Sequence, residues 1–218
     1  MESTVRNLLN QDWITGLITL CLCLLALSKI LYGSRFVDLI RVFQSESYFL
    51  SGSRETTFWH PFNMIISGIQ FISIPLFLFL AYSIYSEWAP AAHPFDFIQI
   101  LAGYILFMIT KNVLENVASW TLGIQPYFKG YFFKKMSYRN VLSLLLLLLC
   151  CFLLYSQLDK QILLYVSLGL VALVLLISIV NFGSKYRSEI IAHPFYFILY
   201  FCALELAPYY IVYKLIVT

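Results

Sequence analysis

Three ionisable residues lie inside stretches of this chain that are otherwise lipid-soluble. Lys111 and Glu115 interrupt the apolar segment 97–120, and Glu205 interrupts the segment 194–217. An ionisable group at membrane depth costs at least about 3 kcal/mol, so it normally faces protein or water and has a partner. We therefore expect these residues to mark the interior of a helix bundle and its candidate site.

Two amides accompany the charges of the segment 97–120. Asn112 and Asn116 are four residues apart, which places them on one helix face beside the charged face. Amide hydrogen bonds between membrane helices contribute roughly 0.6–2 kcal/mol each. The predicted intramembrane polar cluster consists of Lys111, Asn112, Glu115, Asn116 and Glu205.

Depth favours an ion pair between two of these residues. Lys111 precedes the interfacial Trp120 by nine residues, which places it about 14 Å from the inner boundary. Glu205 follows Pro194 by eleven residues, or about 16 Å from the same boundary. The sequence therefore predicts a Lys111–Glu205 pair between antiparallel helices. Glu115, one turn from Lys111 and about 8 Å deep, is the competing partner.

Prolines near the cluster permit a second interpretation. Pro75 and Pro208 cannot donate a backbone hydrogen bond, so each frees one carbonyl oxygen of the preceding turn. Freed carbonyls beside a carboxylate can coordinate a cation in transporters. Ordinary tolerated kinks are the favoured alternative.

Composition assigns the chain to the membrane proteins. Of 218 residues, 61% are hydrophobic and 11% are charged, with a mean hydropathy of +0.83. Soluble domains carry about 25% charged residues. Leucine runs without alternation exclude a β-barrel, so the predicted class is all-α, a polytopic membrane helix bundle. The net charge of +3 is small and its basic residues follow loop position, so no nucleic-acid partner is expected.

Motifs for catalysis and metal binding are missing from the sequence. It contains no serine nucleophile elbow, no paired intramembrane aspartates and no phosphate-binding glycine loop, so we expect no enzyme activity. The cysteines lack metal-ligand spacing and fall inside apolar segments, where cysteine serves as small apolar filler. We therefore expect no disulfide, metal or cofactor. These cysteines are Cys21, Cys23, Cys150, Cys151 and Cys202.

Crossing the hydrocarbon takes about 20 apolar residues in a helix. Six segments of a single domain, 1–218, qualify. They are 13–32, 62–86, 97–120, 140–158, 162–181 and 194–217. The turn 157–160 joins the fourth and fifth into a helical hairpin.

Loop charges predict the orientation. The loops after the first, third and fifth spans hold nine of the fourteen lysines and arginines, so they should lie in the cytoplasm. Both termini are then expected on the non-cytoplasmic side. The first span lacks a basic leading region and a clear cleavage site, so we interpret it as a retained anchor.

Two cytoplasmic loops are predicted to lie on the membrane surface. Within 36–43, apolar residues recur at helical spacing with charges between them, which indicates an interfacial helix. The stretch 127–135 alternates aromatic residues with Lys129, Lys134 and Lys135. Contact with anionic lipid headgroups fits this pattern, although an aromatic belt with an orientation signal is the simpler interpretation.

Every histidine occurs in the same tripeptide, His-Pro-Phe, just before a predicted span. The histidines are His60, His93 and His193. Proline at the first helical position loses no intrahelical hydrogen bond, so the tripeptide predicts a helix start. A histidine metal site is the alternative, but His93 should lie across the membrane from the other two.

The run from His193 to Pro208, together with Lys111 to Glu115, resembles an uncharacterised family of small inner-membrane proteins of Bacteroidota, known as a domain of unknown function. The resemblance implies a bacterial inner membrane and supplies no reaction or ligand. Two hypotheses follow. One is a non-catalytic scaffold or accessory subunit with a membrane-protein partner. The other is a small ion-coupled transporter that uses the polar cluster.

Overall fold

The apolar segments fold into helices that pack as a bundle. The computed structural model describes residues 12–40, 60–85, 94–121 and 125–185, and within these ranges each regular element is an α-helix. The helices are α1 (Asp12–Leu31), α2 (Gly33–Ile40), α3 (Pro61–Tyr85), α4 (Pro94–Thr121), α5 (Gln125–Tyr155) and α6 (Lys160–Lys185).

Among the described helices, five are long and apolar enough to cross a bilayer, which confirms the all-α, multi-pass fold. These spans are Asp12–Leu31, Pro61–Ile84, Pro94–Val117, Met136–Tyr155 and Lys160–Ile177. The sixth predicted span, 194–217, lies outside the described residues.

Helix α3 is the centre of the bundle. Half of the residues in its apolar window are buried inside the protein, against 22% for α4 and 11% for α6. It packs against α1, α4, α5 and α6, whereas α4 and α5 approach each other at few points. Pro75 is buried within α3, and the helix continues past it to Tyr85. The proline is therefore tolerated without ending the helix.

An aromatic cluster closes the end of the bundle where α1 and α4 begin. The Trp13 ring lies 5.6 Å from that of Phe79 and 5.3 Å from that of Phe97, centroid to centroid. Phe79 and Phe97 meet edge to face at 6.0 Å. Edge-to-face pairs are favoured because the positive ring edge meets the negative ring face. These contacts fix α1, α3 and α4 against one another.

The interfacial helix expected over 36–43 takes a different position. The helix α2 covers Gly33–Ile40, and it follows α1 after a single intervening residue, Tyr32. Phe36 and Leu39 are 8% and 0% exposed and pack into an apolar cluster with residues of α1, α3 and α5. The short connection folds α2 back onto the bundle, so these side chains meet protein rather than lipid.

The loop expected between the third and fourth spans is largely helical. Only residues 122–124 separate α4 from α5, and α5 begins at Gln125 rather than at the predicted 140. The stretch 127–135 is therefore helical and precedes the membrane-spanning part of α5, and its contact with lipid headgroups stays a prediction. The missed signal is Pro126, since proline is favoured in the first helical turn. The apolar part of α5, Met136–Tyr155, still supplies the fourth span.

Two of the His-Pro-Phe tripeptides lie at described helix starts. Helix α3 begins at Pro61 and α4 at Pro94. The backbone N–H of Phe62 donates to Nδ1 of His60 at 3.2 Å, so the imidazole caps the first turn of α3. His93 and the third tripeptide, 193–195, lie outside the described residues.

Candidate functional site

One face of α4 is charged and buried, while the opposite face is apolar and exposed. Lys111 and Glu115 are 3% and 1% exposed and lie one turn apart. Large apolar side chains cover the other face; they are Leu106, Ile109, Val113 and Val117. A bilayer explains this distribution, because lipid tails accept apolar side chains and exclude charges.

Helical spacing places the two charges on the inner face. Met108, Lys111 and Glu115 follow one another at intervals of three and four residues, and all three are buried. Side chains at these intervals share one helix face. The same stripe continues through Tyr104, half-buried, to Phe97 in the aromatic cluster. One face of α4 therefore changes from apolar to charged along its length.

Members of the predicted polar cluster differ in their burial. Lys111 and Glu115 lie in the interior, and each has interaction partners there. Asn112 is half-buried and Asn116 is exposed, so the amides do not share the buried face of the charges. Glu205 lies outside the described residues, and so the predicted Lys111–Glu205 pair stays a prediction.

A hydrogen bond joins α3 and α4 one turn from this charged stripe. Nε2 of Gln70 donates to the hydroxyl oxygen of Tyr104 at 3.0 Å. The Tyr104 ring also meets Phe71 edge to face, at a centroid distance of 5.8 Å. Gln70 is only 1% exposed, so its amide depends on protein partners rather than on bulk water.

Arg139 joins α5 to the same face of α4. Its Nη1 donates to the sulfur of Met108 at 3.3 Å. A thioether sulfur is a weak acceptor, so this contact satisfies little of the hydrogen-bonding capacity of a guanidinium. The sequence-based interpretation placed Arg139 in a cytoplasmic loop, whereas it lies within the fourth span, Met136–Tyr155. Arg139 is thus a site residue that the sequence reasoning missed.

The missed signal is a polar stripe on α5. Ser137, Asn140 and Ser143 recur every three residues, and their exposures are 2%, 3% and 0%. Small polar residues at this spacing favour close helix packing in membranes. Arg139 directly precedes Asn140 on an adjacent face of the helix, and it connects α5 to α4 through Met108.

We call the meeting point of these three helices the polar junction. It is defined by two contacts, that of Gln70 of α3 with Tyr104 of α4 and that of Arg139 of α5 with Met108 of α4. We include Ser67 and Asn140, which lie one turn before Gln70 and directly after Arg139 on their helices. Four of its buried polar atoms make no hydrogen bond within the described part of the chain. They are Ser67 Oγ, Gln70 Oε1, Arg139 Nε and Asn140 Oδ1.

Metal-binding groups do not assemble in the part of the chain that the structure describes. No three of its histidine, cysteine, aspartate and glutamate side chains are placed to hold a metal ion. The cysteines of α1 and α5 are free thiols, two of them buried. Cys202 lies outside the described ranges. The polar interior is therefore an oxygen- and nitrogen-rich hydrogen-bonding site.

Comparison with known proteins identifies a family. The model of a family described as a domain of unknown function, DUF4271, matches residues 14–216. No curated protein and no solved structure matches the chain. The family match includes all five described spans and continues past Glu205, so the polar junction and the carboxy-terminal segment belong to one family unit.

Proposed function

We propose that this chain acts as a non-catalytic scaffold or accessory subunit of an envelope complex in the inner membrane. It belongs to the DUF4271 family and is a multi-pass integral membrane protein. The scaffold role is supported by one observation above others, the burial of Lys111 and Glu115 at 3% and 1% exposure. Charges closed off in this way fix helix packing and register.

A transporter needs its ionisable residues to be accessible to water. Its ionisable residues must reach water from one side of the membrane and then from the other, since alternating access moves an ion past them. Both charges of α4 are closed to solvent and are held among α3, α4 and α5. This arrangement favours a structural use of the charges.

The proposal includes an ion pair between Lys111 and Glu205. Glu205 is the one acidic residue of the segment 194–217, and a carboxylate at membrane depth is stabilised by a cationic partner. Matched depths of about 14 and 16 Å support the same pairing.

An ion-coupled transporter is the second candidate. The unsatisfied polar atoms of the polar junction favour it, because hydrated polar groups at membrane depth accompany ion pathways. Reconstitution separates the two functions. Purified protein in liposomes is tested for proton, sodium and potassium flux with fluorescent reporters, alongside Glu115→Gln and the matched control Asp159→Asn, an exposed acid outside the described spans.

The scaffold function predicts flux equal to that of empty liposomes for every variant. It also predicts that the wild-type chain is recovered from native membranes in a complex of fixed stoichiometry, which chemical cross-linking and mass spectrometry measure. A flux that Glu115→Gln abolishes and Asp159→Asn preserves would overturn the scaffold function in favour of transport.

A further inference from the structure

We propose that the polar junction is a hydration site, in which bound water molecules bridge α3 and α5 beside Tyr104 and Met108. The proposal does not depend on the scaffold function. It rests on the positions of the four unsatisfied polar atoms, on their burial, and on the chemistry that can satisfy them together.

Apolar packing brings these atoms into one region. Ile66 and Ile69 of α3 are buried in the same cluster that Tyr138, Val141 and Leu144 of α5 pack against. Ser67 and Gln70 each follow one of these isoleucines, and Gln70 reaches Tyr104 of α4. Asn140 and Arg139 lie between Tyr138 and Val141 on α5, and Arg139 reaches Met108.

The two α4 partners, Tyr104 and Met108, are one helical turn apart, about 6 Å along the axis. Gln70 of α3 and Arg139 of α5 therefore reach neighbouring turns of α4.

Burial makes these atoms costly without a partner. Gln70 and Asn140 are 1% and 3% exposed, and each leaves its amide oxygen without a donor from the described chain. Nearly all buried polar groups in proteins are paired with protein or with ordered water. The hydrocarbon around a membrane protein supplies no alternative donor. A small occupant that donates hydrogen bonds would therefore stabilise them.

The groups around the polar junction favour a neutral occupant. A metal cation fits the amide and hydroxyl oxygens of Gln70, Asn140 and Ser67, but the guanidinium of Arg139 lies beside them and repels it. An anion fits Arg139, but the two amide oxygens repel an anion in turn. The occupant must accept from Arg139 Nε and donate to the oxygens, and water does both.

The number of hydrogen bonds that water can make also matches the number of unsatisfied polar groups. A buried water makes about three hydrogen bonds. One water can accept from Arg139 Nε and donate to the amide oxygens of Gln70 and Asn140. A second, bonded to the first, can satisfy the Ser67 hydroxyl. Hydration would give Arg139 a stronger hydrogen-bond acceptor than the Met108 thioether, its described partner.

Radiolytic footprinting tests this directly, because hydroxyl radicals made from bound water oxidise the nearest reactive side chains. The full-length protein in nanodiscs is exposed to a brief X-ray pulse, and oxidation is mapped by mass spectrometry. We expect Met108, which is 6% exposed, to be oxidised several-fold more than the comparably buried Phe77, which is 5% exposed, after correction of each residue for its intrinsic reactivity. Unirradiated samples correct for oxidation by peroxide.

Two variants test which groups hold the water. Gln70→Leu and Asn140→Leu should each lower the oxidation of Met108, whereas Gln161→Leu, at an exposed position at the start of α6, should leave it unchanged.

Two results would overturn the proposal. Oxidation of Met108 no greater than that of Phe77 means that the junction is dry. Oxidation that persists undiminished in both leucine variants means that other groups hold the water. The comparison within the wild-type protein decides the matter even if the leucine variants fail to fold.

Discussion

Replacing Tyr104 with phenylalanine should lower the free energy of unfolding by about 1 kcal/mol. The substitution removes the hydroxyl that accepts from Nε2 of Gln70 at 3.0 Å. It keeps the ring, and with it the edge-to-face contact with Phe71 at 5.8 Å. The variant therefore isolates one hydrogen bond between α3 and α4 without creating a cavity.

Two known energy ranges limit the expected loss of stability. Leaving a buried amide unsatisfied costs about 1–3 kcal/mol in water-soluble proteins. Hydrogen bonds between membrane helices average about 0.6 kcal/mol and reach about 1.7 kcal/mol, because the unfolded chain in the membrane finds other partners. Gln70 is 1% exposed, which favours the upper half of the membrane range. Bound water at the polar junction would replace part of the lost bond and reduce the coupling toward the average.

A double-mutant cycle measures this bond. Unfolding by sodium dodecyl sulfate in mixed micelles, followed by tryptophan fluorescence, gives the free energies of wild type, Gln70→Leu, Tyr104→Phe and the double variant. We expect a coupling of about 0.6–1.7 kcal/mol. Tyr165→Phe, at a side chain that is 68% exposed on α6, should leave stability unchanged. A coupling indistinguishable from zero would refute the assignment of this bond.

The remaining predictions concern the charges, the aromatic cluster and the orientation. Lys111→Glu and Glu205→Lys should each reduce accumulation in the membrane, and the double variant should restore it, as immunoblotting of membrane fractions measures. Phe79→Ala should lower stability by about 2 kcal/mol, less than in water-soluble proteins because the unfolded chain stays in lipid, whereas the exposed neighbour Leu78→Ala should change it little. A periplasm-active reporter fused after Thr218 should be active, and a cytoplasm-dependent reporter fused there should be silent.

Each of these has a contrary outcome. Failure of the double charge variant to accumulate would exclude the Lys111–Glu205 pair. Equal losses from Phe79→Ala and Leu78→Ala would mean that the aromatic cluster contributes no specific packing. A reporter after Thr218 that is active only in the cytoplasm would reverse the orientation inferred from loop charges.

The positions of the helices were the most predictable part of the structure, because membrane thickness sets their length. The third predicted span, 97–120, lies within α4, Pro94–Thr121. Burial of Lys111 and Glu115 was equally accessible from sequence, because the cost of a charge in lipid is large and directional. Elements whose position depends on weaker energies were harder to predict.

Arg139 shows why. Its neighbours Lys134 and Lys135 give the segment a loop-like composition, and the positive-inside rule assigns such residues to the cytoplasm. Its depth is instead determined by where α5 packs on α3, and that contact involves residues far apart in the sequence. The same holds for Phe36 of α2, which packs on the bundle rather than on lipid. The periodic patterns in both segments indicate a helix face, but they do not tell which helix or which solvent that face contacts.

The continuity of α5 has a mechanical consequence. The helix runs unbroken from Gln125 to Tyr155, so its first residue and Arg139 belong to one stiff rod. Fourteen residues separate them, a lever arm of about 21 Å. A rotation of α5 by about 10° about Arg139 would displace its tip by about 4 Å over that arm. A force on the amino-terminal end of α5 therefore acts as a torque on the contact between Arg139 and Met108.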